Sequence, residues 1–275
     1  MEKTFGVAGG GQRAAELVRL LKLDGYSVSA YGVELSQTDA LEDALGADVV
    51  ILPVPLFGPD GTLNCPGADL SAPELLAKFR PGQRVFAGMI PPEMISQAQT
   101  AGVSMDDYMK HEPMAIANAA ATADAALCLT MQETRDTVAG KRCLVLGFGR
   151  IGKLLCHRLR GAGAHVTAAA RNPNDRAWIR ALGMDALDAS ALAGRLSDFQ
   201  LVYNTIPAPI LDADLLRELP PDCFLMDLAS ERGIDAQAAS ALGITSVWAR
   251  GLPGRMVPRG AAAILRDTAL SLIKK

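Results

Sequence analysis

The sequence predicts an α/β protein made of two doubly wound parallel-sheet domains in tandem. Three observations carry that expectation. Short apolar runs of strand length recur along the chain and alternate with amphipathic stretches of helical length. The first apolar run of each half is followed by a glycine-rich turn, Gly9-Gly10-Gly11 or Gly147-x-Gly149-x-x-Gly152, and each turn opens into a helical stretch. Between the halves lies Met114 to Asp136, alanine-rich and free of Gly and Pro, helical by propensity and suited to be a spine. The 275 residues suffice for two cores of ordinary size. The expected boundaries are 1–117 for the first domain, with a terminal helix at 258–275 packing back on it, and 118–257 for the second.

Composition narrows the class. A formal charge of −3 offers no general attraction for nucleic acid or an anionic membrane. The five cysteines, Cys65, Cys128, Cys143, Cys156 and Cys223, lack metal-site spacing and read as small core residues in a reducing compartment. A strand starting at Phe5 leaves no room for a signal peptide. Prolines interrupt the longest apolar candidates, so no run is expected to approach the roughly 20 residues that span a bilayer. These features predict a soluble, cytoplasmic protein with no metal site.

In the first half, Phe5 to Ala8 reads as a strand, Gln12 to Leu23 as a helix and Tyr26 to Tyr31 as the next strand. The spacing Gly9-x-Gly11-x-x-Ala14 meets a relaxed dinucleotide pattern. Two readings stand: the tight turn any doubly wound sheet needs after its first strand, or a helix N-terminus at Gly11 that holds a substrate carboxylate with Arg13. Val49 to Leu52 is a strand running into Pro53-Val54-Pro55, and Phe57 to Gly67 reads as an exposed loop or lid. Glu74 to Phe79, Arg84 to Gly88 and Pro92 to Ala101 continue as helix, strand and helix, a flavodoxin-like alternation. The polar stretch Asp106 to Pro113 breaks it between the domains. There His111, beside Glu112, is either an acid–base participant or a surface residue at a helix start. On the helix that follows, Asn118 and Thr122 share a face with Ala125 or Ala126.

The second half opens on Cys143 to Leu146, an apolar strand ahead of the glycines. Gly147 permits the tight turn, Gly149 lets backbone approach a pyrophosphate, and Gly152 allows close helix packing, with Lys153 to Arg160 as the helix. A strand before and a helix after make this a Rossmann NAD(P)-binding domain, with Gly147, Gly149, Arg150, Ile151 and Gly152 at the phosphates. His165 to Ala170 is the second strand. No acid stands at its end; Arg171, Asn172 and Arg176 follow, which suits a 2′-phosphate and predicts NADP, with NAD possible because Asp175 lies nearby. Trp178 to Leu182 and Ala189 to Leu196 read as helices. Phe199 to Thr205, Cys223 to Leu228 and Thr245 to Trp248 are strands, and Ala261 to Ile273 is the terminal helix. Thr205, Ile206, Pro207 and Ala229, at or just past the ends of two of these strands, are expected to contact the cofactor, and the loop Gly251 to Arg255 to line its nicotinamide end.

Taken together, Asn118 to Gly152, Asn204-Thr-Ile-Pro, Asp227-Leu-Ala-Ser and Gly251-Leu-Pro-Gly resemble the A-subunit family of dipicolinate synthase in order and spacing over nearly the whole chain. The segment from Asn118 to Gly152 is also similar to adenosylhomocysteinase and the amino-acid dehydrogenases. The resemblance implies domains arranged as in formate and glycerate dehydrogenases with the active site in their cleft. It implies NADP-linked oxidation of dihydrodipicolinate to dipicolinate during bacterial spore formation, and a partner in the form of a flavoprotein-like B subunit; a homo-oligomer is common for such folds. One departure stands out: Glu231-Arg232-Gly233-Ile234 occupies the place of a Pro-Gly-Gly-type turn, which bears on the cleft's shape and the substrate.

That reaction removes a hydride and a proton, so it needs a base and groups for two carboxylates. His157 lies within a helix and His165 opens a strand, which leaves His111 and Glu112 as the catalytic candidates. Asn118, Thr122 and Ser230 can hydrogen-bond a carboxylate or a carboxamide, or be satisfied within the protein. Arg13, Lys110, Arg250 and Arg255 are candidates for the carboxylates. Two other functions remain open: another NAD(P)-dependent dehydrogenase of a small acid or amino acid, and a non-catalytic NADP-binding subunit of a flavoprotein complex.

Overall fold

In the computed structural model, which describes residues 3–274, strands and helices alternate along the chain and divide it into two units. Met1–Asn118 and Pro253–Lys275 form one, Ala119–Leu252 the other.

The first unit runs Phe5–Ala8 (β1), Gly11–Leu23 (α1), Val28–Tyr31 (β2), Leu41–Gly46 (α2), Val49–Ile51 (β3), Ala72–Ala77 (α3), Arg84–Ala87 (β4), Pro92–Thr100 (α4) and Ser104–Asp107 (β5). A 3-10 turn at Tyr108–Lys110 leads into Glu112–Thr134 (α5), inside which the first unit gives way to the second. The five strands are parallel in the order β2-β1-β3-β4-β5, the flavodoxin arrangement. Because successive side chains on a strand point to opposite faces, the sheet builds two cores. Phe5, Val7, Ile51 and Phe86 pack with Leu17 and Leu21 of α1. On the other face Val50, Leu52 and Val85 meet Leu45, Leu75 and Met94 from α2, α3 and α4. Each fully buried leucine of this kind contributes roughly 1.5–3 kcal/mol.

The second unit continues with Arg142–Leu146 (β6), Arg150–Gly161 (α6), His165–Ala169 (β7), Pro173–Ala181 (α7), Asp185–Leu187 (β8), Leu201–Asn204 (β9), Ala213–Leu216 (α8), Phe224–Asp227 (β10), Ala236–Ala241 (α9) and Thr245–Trp248 (β11). Its six parallel strands stand in the order β11-β10-β9-β6-β7-β8, the doubly wound dinucleotide-binding arrangement. Leu252–Met256 (α10) and Pro258–Ile273 (α11) follow. Leu265, Ala269 and Leu272 of α11 join the core that holds α1.

Several expectations are corrected. The polar stretch from Asp106 to Pro113 is not simply a break, since β5 runs into it through Asp107. Met105 and Asp107 face inward there, and the Asp107 carboxylate accepts from the backbone N–H of Met109 at 2.9 Å and of Ile90 at 3.3 Å. An aspartate in an inward position hides the strand's alternation. Phe57 to Gly67 is an irregular and largely exposed loop, as expected, but Leu63 and Cys65 within it are buried and Asn64 N–H donates to the Leu56 carbonyl. Ala189 to Leu196 is irregular rather than helical. Its apolar spacing serves the core through Leu192 and Leu196, but Asp188 caps a turn at Ser190 and Gly194 takes a left-handed φ of 72°. Gly251 to Arg255 is largely the short helix α10 rather than a loop, and α2 and β8 appear where no element was expected.

The expectation that no apolar run reaches bilayer length is corrected as well. Helix α5 is long and apolar enough by length and composition, with a mean hydropathy of 1.4 in its best window, because its many alanines add to Ile116, Leu127 and Leu129. Of that window 44% is buried inside the protein, and Asp124 on the helix pairs with Arg158 at 2.5 Å.

Candidate functional site

Strands β6 and β9 are neighbours although the chain visits β7 and β8 between them. This is the point where the strand order reverses, outside whose carboxyl ends ligands bind in open α/β sheets. The glycine turn leaves β6 there. Gly147 has φ 97°, and a Cβ at that position would strike the Thr205 hydroxyl. A Cβ on Gly152 would strike the Gly147 carbonyl, so α6 starts tightly against the turn. Gly149 differs: a Cβ there meets nothing within 4 Å. The second glycine therefore borders open space, as a pyrophosphate approaching the backbone requires. No side chain caps the N-terminus of α6, whose first N–H groups and positive dipole end face the same side. These residues fit a nicotinamide dinucleotide.

The next strand end divides the arginines. Arg176 is committed to the protein: its Nη1 donates to the Ala170 carbonyl at 2.9 Å and the Arg171 carbonyl at 2.6 Å, and pairs with Asp188 at 3.0 Å. Asn172 caps α7 by accepting from Asn174 N–H at 2.9 Å. Arg171 is exposed and has no ion-pair partner among the described residues.

On the other side of the turn, two residues outside the expected site organise the loops. Asn204 and Asp227 end β9 and β10, both buried. Asn204 Nδ2 donates to Asp227 Oδ1 at 2.9 Å, and Asn204 also closes a turn by accepting from Ile206 N–H at 2.9 Å. Asp227 accepts from the N–H groups of Ala229 at 3.1 Å, Gly233 at 2.7 Å and Ile234 at 3.2 Å. A Cβ on Gly233 would strike the Asn204 amide. One carboxylate thus shapes the loop that carries Ala229 and Ser230, while Asn204 shapes the one with Thr205, Ile206 and Pro207. The visible signal in the sequence was a polar residue closing an otherwise apolar strand, twice.

In the first unit, the glycine turn is explained largely by packing. A Cβ on Gly9 would lie 2.8 Å from the Asn64 carbonyl, so the 64–65 segment sits directly on the turn. Gly11 opens α1 and Arg13 is half-buried on its first turn. Burial pushes the Tyr108 phenol up to about 12 against the opposing effect of Arg13, and its hydroxyl donates to the Leu52 carbonyl at 3.2 Å. His111 sits at the entry of α5, where its carbonyl accepts from Ala115 N–H at 2.9 Å; Glu112 follows in the first turn, Asn118 is half-buried and Thr122 buried. Burial raises the Cys143, Cys156 and Cys223 thiols to about 12 and Cys65 to about 11, which suits core residues rather than nucleophiles.

Comparison with known proteins agrees with this division. Residues 4–109 match the family model of the N-terminal domain of the dipicolinate synthase A subunit. Residues 113–241 match that of the NAD binding domain of D-isomer specific 2-hydroxyacid dehydrogenase. The dipicolinate synthase A subunit of Bacillus subtilis is 28% identical over 97% of this chain and 94% of its own. The crystal structure of the dipicolinate synthase A subunit from Bacillus halodurans superposes with a TM-score of 0.85 at 26% identity, covering 100% of this chain and 99% of that one. Its counterpart from Bacillus subtilis gives 0.83 at 25%, covering 100% and 96%.

Proposed function

Since the chain is an oxidoreductase of the dipicolinate synthase A-subunit family, with the NAD-binding domain of the dehydrogenases, we propose that it oxidises dihydrodipicolinate to dipicolinate with NADP as hydride acceptor. The observation that carries the reading is the glycine cradle, open at Gly149 alone, in a chain that matches its dipicolinate synthase relatives end to end. When bound, the nicotinamide takes the hydride.

The chain's own residues do the rest. Backbone N–H groups from Gly149 to Gly152, with Arg150 and Ile151, hold the pyrophosphate. Arg171 meets the 2′-phosphate, while Arg176 and Asn172 brace the segment that presents it. The Asn204–Asp227 pair keeps Thr205, Ile206, Pro207 and Ala229 in shape. His111 or Glu112 accepts the proton, and Gly11 and Arg13 with Asn118, Thr122 and Ser230 receive carboxylate oxygens. The partner is a flavoprotein-like B subunit, in line with a relative that is itself one subunit of its enzyme. The setting is that of a soluble, cytoplasmic protein, in keeping with the composition and charge, and a homo-oligomer, as is common for such folds.

The test is substrate-dependent NADPH formation by the purified chain, alone and with its partner subunit. Silence with freshly prepared dihydrodipicolinate in both cases would refute the proposal. For the cofactor, Arg171→Ala should weaken NADP binding by roughly tenfold or more, as loss of a charge-assisted contact does, and leave NAD little changed. Equal loss for both would remove the NADP assignment.

A further inference from the structure

Helix α7 of the second unit fully buries Ile179 alone and turns its opposite side outward. Ala177, Trp178 and Ala181 of the helix and Leu182 at its C-cap stand at i, i+1, i+4 and i+5, so they form one contiguous apolar strip, exposed throughout. Trp178 is 62% exposed and Leu182 50%. Single exposed apolar residues are ordinary on a protein surface. A joined strip with an indole in it has the composition of an interface centre.

The charges around the strip say what covers it. At the C-terminal end, exposed Arg160 of α6 donates to the Leu182 carbonyl, and Arg180 stands near it; neither has an ion-pair partner among the described residues. At the N-terminal end, Asp175 is the acid of the first turn and is equally without an ion-pair partner there. Asp185 lies close in sequence, but it shares a face of β8 with Leu187, whose core α8 and α9 fill, so it points to the other side of the sheet. The strip is therefore basic at one end and acidic at the other, about 10 Å apart along the helix axis. A partner surface of one sign would match one end and repel the other. A second copy turned end for end matches both, its Asp175 over Arg160 and its Arg160 over Asp175.

We propose that the chain forms a two-fold dimer through α7, with Trp178 and Leu182 of two antiparallel copies at the centre of the interface. Such a contact is isologous and closes on itself, so association stops at two copies. This interface gives the homo-oligomer of the functional reading a specific face and is independent of the redox chemistry. Arg171 precedes the N-cap of α7, so the interface makes no use of the residue assigned to the 2′-phosphate.

The experiment is sedimentation equilibrium of the full chain across the micromolar range. Wild type should pass from monomer to dimer, and Trp178→Glu should raise the dissociation constant roughly tenfold or more. Asp175→Arg and Arg160→Glu should each weaken the dimer by setting like charges opposite one another, while the double substitution should recover part of both losses. Measured where wild type is monomeric, the melting temperature of Trp178→Glu should match wild type because the side chain is exposed, which separates a lost interface from a lost fold. A chain that stays monomeric throughout, or a dimer whose dissociation constant Trp178→Glu shifts by less than about threefold, overturns the interface. Losses that simply add in the double substitution overturn the antiparallel docking. If wild type stays monomeric and instead takes up the purified flavoprotein-like subunit through Trp178, the strip belongs to that partner and the second-copy assignment is overturned. Each of these failures leaves substrate-dependent NADPH formation, and with it the functional reading, standing.

Discussion

Replacing Asp227 with alanine removes the acceptor of four donors at once: the Asn204 amide and the N–H groups of Ala229, Gly233 and Ile234. The Asn204 amide keeps a second acceptor, the Ile206 carbonyl at 3.0 Å, and Ala229 N–H stands beside exposed Ser230 where water can reach after a small shift. Gly233 and Ile234 are buried, so their donors are left without a partner. At about 1–3 kcal/mol for each orphaned buried donor, and with some relaxation of the loop, the expected loss is about 3 kcal/mol. Asp227→Asn keeps the volume but sets an amide N–H₂ against backbone donors, so it should fall between alanine and wild type. Both tryptophans, Trp178 and Trp248, lie in the second unit, which lets fluorescence follow that unit alone through urea unfolding. NADP titration of the same samples should show weaker binding, because the released loop carries Ala229. An Asp227→Ala midpoint corresponding to less than about 1 kcal/mol of destabilisation would refute the idea that this carboxylate organises the site.

Two further perturbations probe the first unit. Met89 holds a left-handed φ of 60° with its side chain 63% exposed, so glycine should suit the position better than alanine; Met89→Gly should exceed Met89→Ala in stability by roughly 0.5–1 kcal/mol in thermal unfolding, and the reverse order would dismiss the strain. Hydrogen bonds from the Thr4 backbone, and then from Arg80 and the Thr4 hydroxyl, hold the Asp48 carboxyl down to about 2 from 3.8. A depressed carboxylate stabilises the fold above its unfolded value and loses that contribution as pH falls through the folded one. With the side chain 42% exposed, about 1 kcal/mol separates wild type from Asp48→Asn at pH 7. Calorimetry should find that gap roughly halved at about pH 3, and a gap independent of pH would discount the interaction.

Much of this protein could be read from its sequence, and the reason is local. A buried parallel strand must be a short apolar run, as Cys143 to Leu146 and Val49 to Leu52 are, and a strand-to-helix turn at Gly147 needs the conformational freedom glycine has. The dinucleotide cradle was legible for that reason: all its parts lie within one β-turn-α segment. Where local pattern and chain pairing conflicted, the pattern misled. Inward Asp107 concealed β5, and the periodic leucines Leu192 and Leu196 suggested a helix that Gly194 prevents.

What residue types and their spacing determined was the class of fold, the number of units and the kind of cofactor. What tertiary structure alone decided was the assignment of individual polar groups. Arg171 and Arg176 look alike as neighbours in sequence, and only Asp188 and two backbone carbonyls distinguish the brace from the exposed charge. Asp227 meets Asn204 across 23 positions, and Arg232 meets Trp248 only because β10 and β11 pair side by side. Backbone propensity acts over a few residues and is written along the chain. Hydrogen bonds and cation–π contacts depend on distances of a few ångströms that exist only after distant strands have paired.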